Sequence, residues 1–217
     1  MLQGDTQIAE INDYFVSIQG EGLFIGVPQF FVRFCGCPLD CDYCDTIHDI
    51  ANYRLNIKEL NAKIPEWIHS VSFTGGEPLL HADFIKDFIN TFDYNFFLET
   101  AGIMPDALKG VIHGIDIISM DLKPMADMFD RQIDFANIAV SKTLYFKIVV
   151  FDGVSNNEII EYIEKFESFS NNIMILQPES SEIFNNFRRC LEILPYILKI
   201  FPHTRIIPQV HKWLKIK

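Results

Sequence analysis

Cys37, Cys41 and Cys44 stand in the order C-x3-C-x2-C within "FVRFCGCPLDCDYCDT", residues 31–46, and Cys35 lies two positions before the first. Three thiolates on one short loop can hold three irons of a cubane cluster and leave the fourth iron open to a small-molecule ligand. Zinc is the rival occupant. A structural zinc site normally takes four ligands in paired spacings, and recruiting Cys35 would give an unusual C-x-C-x3-C-x2-C arrangement. Cys35 otherwise reads as a small packed hydrophobe, as does the fifth cysteine, Cys190. A second constellation is "VSFTGGEP", Val71 to Pro78, an apolar run entering a glycine pair and then a carboxylate. Gly75 and Gly76 without side chains allow a close backbone approach to a ligand, and Glu77 follows directly. By itself this stretch also suits an ordinary strand-to-helix turn.

These groups need strands to position them. Short apolar, β-branched or aromatic runs occur at Gln29 to Phe34, Val71 to Phe73, Asn95 to Leu98, Ile115 to Ser119, Leu144 to Val150 and Asn172 to Leu176. Helical patterns separate the later ones. Ser155 three residues before Glu158 marks a capping box, with Ile159, Ile160, Ile163 and Phe166 along one face. From Glu182 a second pattern spaces Phe184, Phe187, Leu191 and Leu194 as a stripe that Pro195 interrupts. Strands alternating with helices imply a parallel sheet with right-handed crossovers. A full eight-stranded barrel takes about 250 residues, so six strands in 217 residues predict an α/β fold built as an incomplete (βα)6-type parallel barrel. Some helices should be shortened and the cysteine loop should follow the first core strand. An open doubly wound sheet is the structural alternative. Thr74, Glu99, Ser119 with Asp121, and Gln177 fall at or just past strand carboxyl ends, where parallel α/β folds build sites.

The chain has 49% hydrophobic residues and a formal net charge of −11, with a sequence pI near 4.9. That content suits a single domain over residues 1–217, and the acidity disfavours a nucleic-acid groove. No run approaches the roughly 18 apolar residues of a membrane helix, and no secretory leader is visible. The reading is a cytoplasmic protein whose clustered thiols serve metal or redox chemistry rather than disulfides.

Together, C-x3-C-x2-C and "TGGEP" resemble the radical S-adenosylmethionine enzymes, whose open iron chelates the amino and carboxylate groups of the cofactor's methionine. Within that superfamily the sequence is similar to the 7-carboxy-7-deazaguanine synthases. "SIQGEG" (Ser17 to Gly22), Arg33, "CDYCDT" ending in Thr46, and "PQVHK" (Pro208 to Lys212) carry this closer match. The resemblance implies a lyase of 7-deazapurine, queuosine-type, biosynthesis. Such an enzyme cleaves S-adenosylmethionine reductively at a 4Fe-4S cluster and regenerates it. The resulting 5'-deoxyadenosyl radical takes hydrogen from C6 of 6-carboxy-5,6,7,8-tetrahydropterin, and ring contraction and loss of ammonia follow. It further implies Mg2+, a flavodoxin or ferredoxin-type electron donor and a homodimer.

Carried over residue by residue, the resemblance assigns Cys37, Cys41 and Cys44 to the cluster and Thr46 to Mg2+. For S-adenosylmethionine it points to Tyr43, Cys44, Asp45, Gly75, Gly76 and Glu77, to Ser119, Met120 and Asp121, and to Gln177, Pro178, Glu179 and Ser180. For the pterin it points to Ile18, Gln19, Gly20, Glu21, Arg33, Thr74, Glu99, His211 and Lys217, with Glu21 and Arg33 catalytic. Elementary chemistry supports parts of this set. Strand alternation puts Arg33 on the face of Phe31 and Cys35, away from Phe30, Val32 and Phe34. A buried arginine needs an anion, either a substrate carboxylate or an internal partner such as Glu21 or Glu99. A hydroxyl such as that of Thr46 suits a hard cation, and equally a helix cap or turn. Lys147 serves either as a cofactor contact or as a stem covering apolar surface. His48, His69, His81, His113 and His203 lack ligand spacing and read as surface or packing residues. "ETAGI" (Glu99 to Ile103) and Pro38 depart from the family's commoner residues without removing a ligand. A glycyl-radical activase would share the cysteines and "TGGEP" but leave "QGEG" and "QVHK" unexplained. A zinc-binding interaction module would need no glycine turn.

Overall fold

The computed structural model describes residues 7–44, 46, 48–124 and 128–217. The strands are β1 (Ile8–Ile18), β2 (Pro28–Phe34), β3 (Tyr53–Asn56), β4 (Ser70–Gly75), β5 (Phe96–Thr100), β6 (Ile117–Leu122), β7 (Thr143–Val150), β8 (Ile173–Pro178) and β9 (Thr204–Ile206). Among the described residues they form one sheet ordered β3-β1-β2-β4-β5-β6-β7-β8-β9. β2 pairs parallel with β4 and each following pair is parallel, whereas β1 runs antiparallel to both β2 and β3. The order is linear with β3 and β9 at opposite edges, so the barrel is incomplete as the sequence predicts. The six expected core strands are β2 and β4 to β8. β1, β3 and β9 extend that core and were not foreseen.

Both faces of the parallel strands are buried. On β2, Phe30, Val32 and Phe34 enter the main core against the helices, with neighbours such as Val71, Phe73, Phe84 and Phe88. The opposite faces of β5 to β8 converge in Phe97, Ile117, Tyr145 and Ile175, with Leu23 and Phe24 packed against them. This aromatic and aliphatic plug fills one end of the sheet's concave side, and polar side chains occupy the end where the parallel strands terminate.

The helices are α1 (Ile57–Asn61), α2 (Ala82–Thr91), α3 (Pro105–Val111), α4 (Phe129–Ala139), α5 (Asn156–Glu164), α6 (Ile183–Ile200) and α7 (Val210–Leu214). α1 and α3 have 5 and 7 residues, the shortening the chain length implies. α5 begins with the expected capping box: Ser155 Oγ accepts from Glu158 N, and the Glu158 carboxylate accepts from Ser155 N. α6 corrects the stripe read from sequence. Its inward face is Asn186, Cys190, Ile193 and Ile197, while Phe184 is 89% exposed and Leu191 50% exposed. The buried face includes a polar residue, which disguises it in a hydrophobicity pattern. α6 also continues through Pro195 to Ile200, so the proline does not end it. Among the described residues, no helix is long and apolar enough to cross a membrane.

Candidate active site

A cavity of about 180 Å3 opens where the parallel strands end. Its walls collect most of the residues singled out in the sequence: Ile18, Gln19, Gly20 and Glu21; Arg33; Cys37, Cys41, Tyr43, Cys44 and Thr46; Thr74, Gly75 and Gly76; Glu99, Ser119, Asp121, Gln177, His211 and Lys217. Five assignments are not among its lining residues. Glu77 and Met120 are buried behind it, Pro178 is buried at the end of β8, and Glu179 and Ser180 follow that strand. Glu179 instead borders a neighbouring cleft with Tyr43, Cys44 and Asn186. Asp45 lies outside the described residues.

Glu21 is the electrostatic centre. Its carboxylate is in contact with the Lys147 ammonium, and it accepts from Gln177 Nε2 at 3.1 Å and Gln209 Nε2 at 2.8 Å. Burial raises its pKa, but Lys147 beside it, with the Gln209 hydrogen bond and nearby His211, overcomes that and holds the carboxyl at about 2. Burial alone would neutralise Lys147. Asp121, Glu21 and Glu99 around it instead hold its pKa well above the ordinary lysine value. Glu99 accepts from Gln19 Nε2 at 2.7 Å and Thr74 Oγ1 at 3.3 Å. Its pKa is raised, first by burial and then by Glu21, against the pull of Lys147.

Arg33 is half-buried in the same cavity, and its guanidinium lies 4.9 Å from the Phe15 ring centroid. Lys123 pairs with Asp121 at 2.8 Å, Lys147 with Glu21, and Lys217 with Asp13 at 2.7 Å. Arg33 forms no ion pair among the described residues, so the internal partners weighed from sequence, Glu21 and Glu99, are engaged elsewhere. Lys217 also accepts from Ser17 Oγ through its carbonyl oxygen at 2.7 Å. Val210 N donates to Gly20 O at 2.9 Å, which seats α7 on the "QGEG" turn and places His211 against Gly20.

The glycine pair has a structural reason that the sequence reading did not anticipate. A Cβ on Gly76 would lie 1.9 Å from Gly36 O, and one on Gly75, at φ +109°, 2.5 Å from Phe34 N. Gly76 N donates to Phe34 O and Glu77 N to Gly36 O, so the "TGGEP" turn and the start of the cysteine loop touch backbone to backbone. Glu77 is a brace. Its carboxylate accepts from Thr100 Oγ1, Ala101 N and Leu79 N, linking the loops after β4 and β5.

On the cysteine loop, Cys37, Cys41 and Cys44 face the cavity as free thiols. Burial pushes the Cys37 and Cys41 pKa values up, with Lys123 opposing the rise at Cys41. Cys35 is buried away from the cavity, with its Sγ 3.2 Å from Ile50 O. Lys123 Nζ reaches Tyr43 OH at 2.9 Å as well as Asp121, tying the loop to the end of β6. Burial, with Asp121 and Cys41 adding, pushes the Tyr43 phenol up to about 12 despite Lys123.

Residues 31–166 match the model of the radical SAM superfamily. The 7-carboxy-7-deazaguanine synthase of Geobacter sulfurreducens is 32% identical, over 95% of this chain and 97% of its own. That of Methanothermobacter thermautotrophicus is 33% identical, over 96% and 98%. The chain belongs to the 7-carboxy-7-deazaguanine synthase family of radical SAM enzymes. The fold agrees with the crystal structure of QueE from Escherichia coli, at a TM-score of 0.68 and 22% identity over 96% of both chains.

Membership implies a 4Fe-4S cluster and S-adenosylmethionine, and the cavity's chemistry fits both. Three thiols share one loop, which is the ligand set of an open-coordination cubane. Asp121 Oδ1 and Gln177 Oε1 are buried acceptors with no hydrogen-bond donor among the described residues. Ligand ammonium or hydroxyl groups would satisfy them. Sequence reasoning missed Lys123 and Gln209 and left Lys147 open, although all three line the cavity. Lys123 stands two residues after Asp121 at a strand end and Gln209 lies inside "PQVHK", so the signals existed as positions without partners. His48, read as a surface or packing residue, also lines the cavity.

Proposed function

We propose that the chain converts 6-carboxy-5,6,7,8-tetrahydropterin to 7-carboxy-7-deazaguanine, with ring contraction and loss of ammonia, in a single domain spanning residues 1–217. The observation that carries the substrate assignment is Arg33: a half-buried guanidinium in the cavity without an ion pair among the described residues. Its planar fork matches a carboxylate at two points. Gln19, the backbone of Ile18 and Gly20, Thr74, Glu99, His211 and Lys217 surround the remaining pterin edge, which offers amide and amine groups to them. Glu21 and Arg33 are the catalytic pair. Glu21 stays ionised beneath the substrate, and Arg33 fixes the carboxylated end so that the reacting carbon faces the cofactor.

When bound, the cluster and S-adenosylmethionine supply one-electron reduction and hydrogen-atom abstraction. Cys37, Cys41 and Cys44 hold the cluster. Tyr43, Gly75, Gly76, Ser119, Asp121 and Gln177 take the cofactor, with the chain around Asp45, Glu77, Met120 and Pro178 to Ser180 completing that wall. Thr46 contributes a hydroxyl to Mg2+. The reading extends to a flavodoxin or ferredoxin-type donor, to which Cys44 presents the exposed thiol of the three, and to a homodimer, for which Phe184, Leu191, Trp213 and Leu214 offer exposed apolar surface.

The test is anaerobic turnover of the carboxylated pterin by reconstituted protein without stoichiometric consumption of S-adenosylmethionine. Arg33→Lys should weaken pterin binding about tenfold to a hundredfold, the worth of a charged hydrogen bond, while cofactor binding survives. Wild-type protein that cleaves the cofactor and leaves this pterin untouched refutes the substrate assignment.

A further inference from the structure

From Gln19 in the cavity wall a chain of buried hydrogen bonds runs back to Gln29 and Ser70, which line no part of the cavity and have no assigned binding or catalytic role. Gln19 and Gln29 are 3% and 0% exposed. Gln19 Nε2 donates both hydrogens, to Glu99 Oε1 at 2.7 Å and to Gln29 Oε1 at 3.1 Å, and its Oε1 accepts from Glu21 N at 3.1 Å. Gln29 Nε2 in turn donates to Ser70 Oγ at 2.9 Å, and Ser70 Oγ lies 3.1 Å from His69 Nδ1. β2 and β4 place Gln29 and Ser70 side by side in register, so the strands themselves fix the far end of the chain.

The donor and acceptor count leaves one arrangement. Rotating the Gln19 carboxamide by half a turn would set its oxygen against the Glu99 carboxylate and its nitrogen against the Glu21 N–H. It would also set that same oxygen against Gln29 Oε1, unless the Gln29 carboxamide turned as well and gave up its donation to Ser70 Oγ. The Gln19 backbone is already pinned, with Gln19 N donating to Val27 O and Gly26 N to Gln19 O at 2.8 Å each, so the side-chain amide is the remaining freedom. We propose that Gln29, held by Ser70, is a positioning residue that locks the Gln19 carboxamide, and through it Glu99 and the Glu21 backbone, in the orientation that receives the substrate. The inference rests on the pterin reading for its ligand and on the hydrogen bonds alone for its geometry.

A double-mutant cycle tests it in cluster-loaded protein with S-adenosylmethionine present. Gln29→Met keeps the length and removes the amide. It should raise the pterin dissociation constant about tenfold in the native background, a loss on the scale of one charge-linked hydrogen bond, and less than twofold in the Gln19→Met background. Ser70→Ala should act in the same direction with a smaller factor, and it serves if Gln29→Met lowers folding yield. Hydrogen exchange at the Glu21 N–H of substrate-free holoprotein should accelerate in both variants. Equal effects in the two backgrounds, or unchanged Glu21 exchange, overturn the proposal. Wild-type protein that does not bind the pterin overturns the substrate assignment instead, and Glu21 exchange then decides this one.

Discussion

Replacing Lys147 by Met leaves Glu21 buried without its cation. The Glu21 carboxyl sits at about 2 in the fold against an ordinary 4.5. With 1.36 kcal/mol per pH unit this is about 3 kcal/mol of stability at neutral pH. Its side chain is 16% exposed and that of Lys147 9%, so solvent screening takes little from this figure. Removing one member of a buried pair typically costs about 3–5 kcal/mol, the same scale. The sign follows from the shift. A lowered carboxyl pKa stabilises the native protein above about 4.5 and loses that contribution as pH falls from there toward 2. In Lys147→Met, burial is left to dominate, so the Glu21 pKa should move above its ordinary value and the variant should gain relative stability as the group protonates. Urea unfolding across pH 4.5–8 should therefore show a deficit of about 3–5 kcal/mol at pH 7 that narrows toward pH 4.5. A deficit under about 1 kcal/mol, the worth of an exposed pair, or one independent of pH, refutes the reasoning.

Reconstitution with iron and sulfide should load about four irons per chain, and Ala at Cys37, Cys41 or Cys44 should abolish the brown chromophore. Cys35→Ala should retain the chromophore; loss there with one zinc per chain would refute the cluster assignment. Gly76→Ala forces a methyl onto Gly36 O and should destabilise by about 1–3 kcal/mol or more, as overpacking does, with poorer cluster loading; a thermal melt matching wild type would refute the close approach. Thr46→Ala should weaken Mg2+ stimulation of turnover and leave reductive cleavage of S-adenosylmethionine largely intact, and an unchanged Mg2+ titration would remove Thr46 from the metal shell.

What the sequence disclosed was what neighbouring residues decide together. The three thiols have only 3 and 2 residues between them and announce themselves, and strand alternation alone puts Arg33 opposite Phe30, Val32 and Phe34. β1 was harder: Asn12 and Asp13 fall where its register shifts, between Ile11 and Asp13, and they interrupt the apolar alternation that marks a strand. β9 has 3 residues, too few to carry a period. The glycine pair was read as making room for a ligand, but the atoms nearest the missing side chains are the chain's own backbone. Lys123, Lys147 and Gln209 gain meaning from partners that no window of sequence contains.

The hydrogen bonds around Glu21 also have a consequence in time. Its partners Lys147, Gln177 and Gln209 lie 126, 156 and 188 residues further along the chain. Contacts of such separation close large loops before they return any stabilisation, and parallel strand pairing shares that slowness. The carboxylate should remain hydrated through most of the refolding reaction, finding its ammonium only when β7 joins the sheet and the Gln209 amide only when α7 docks on the first turn. Fluorescence or exchange signals from early collapse should then precede competence to bind the pterin by a measurable lag.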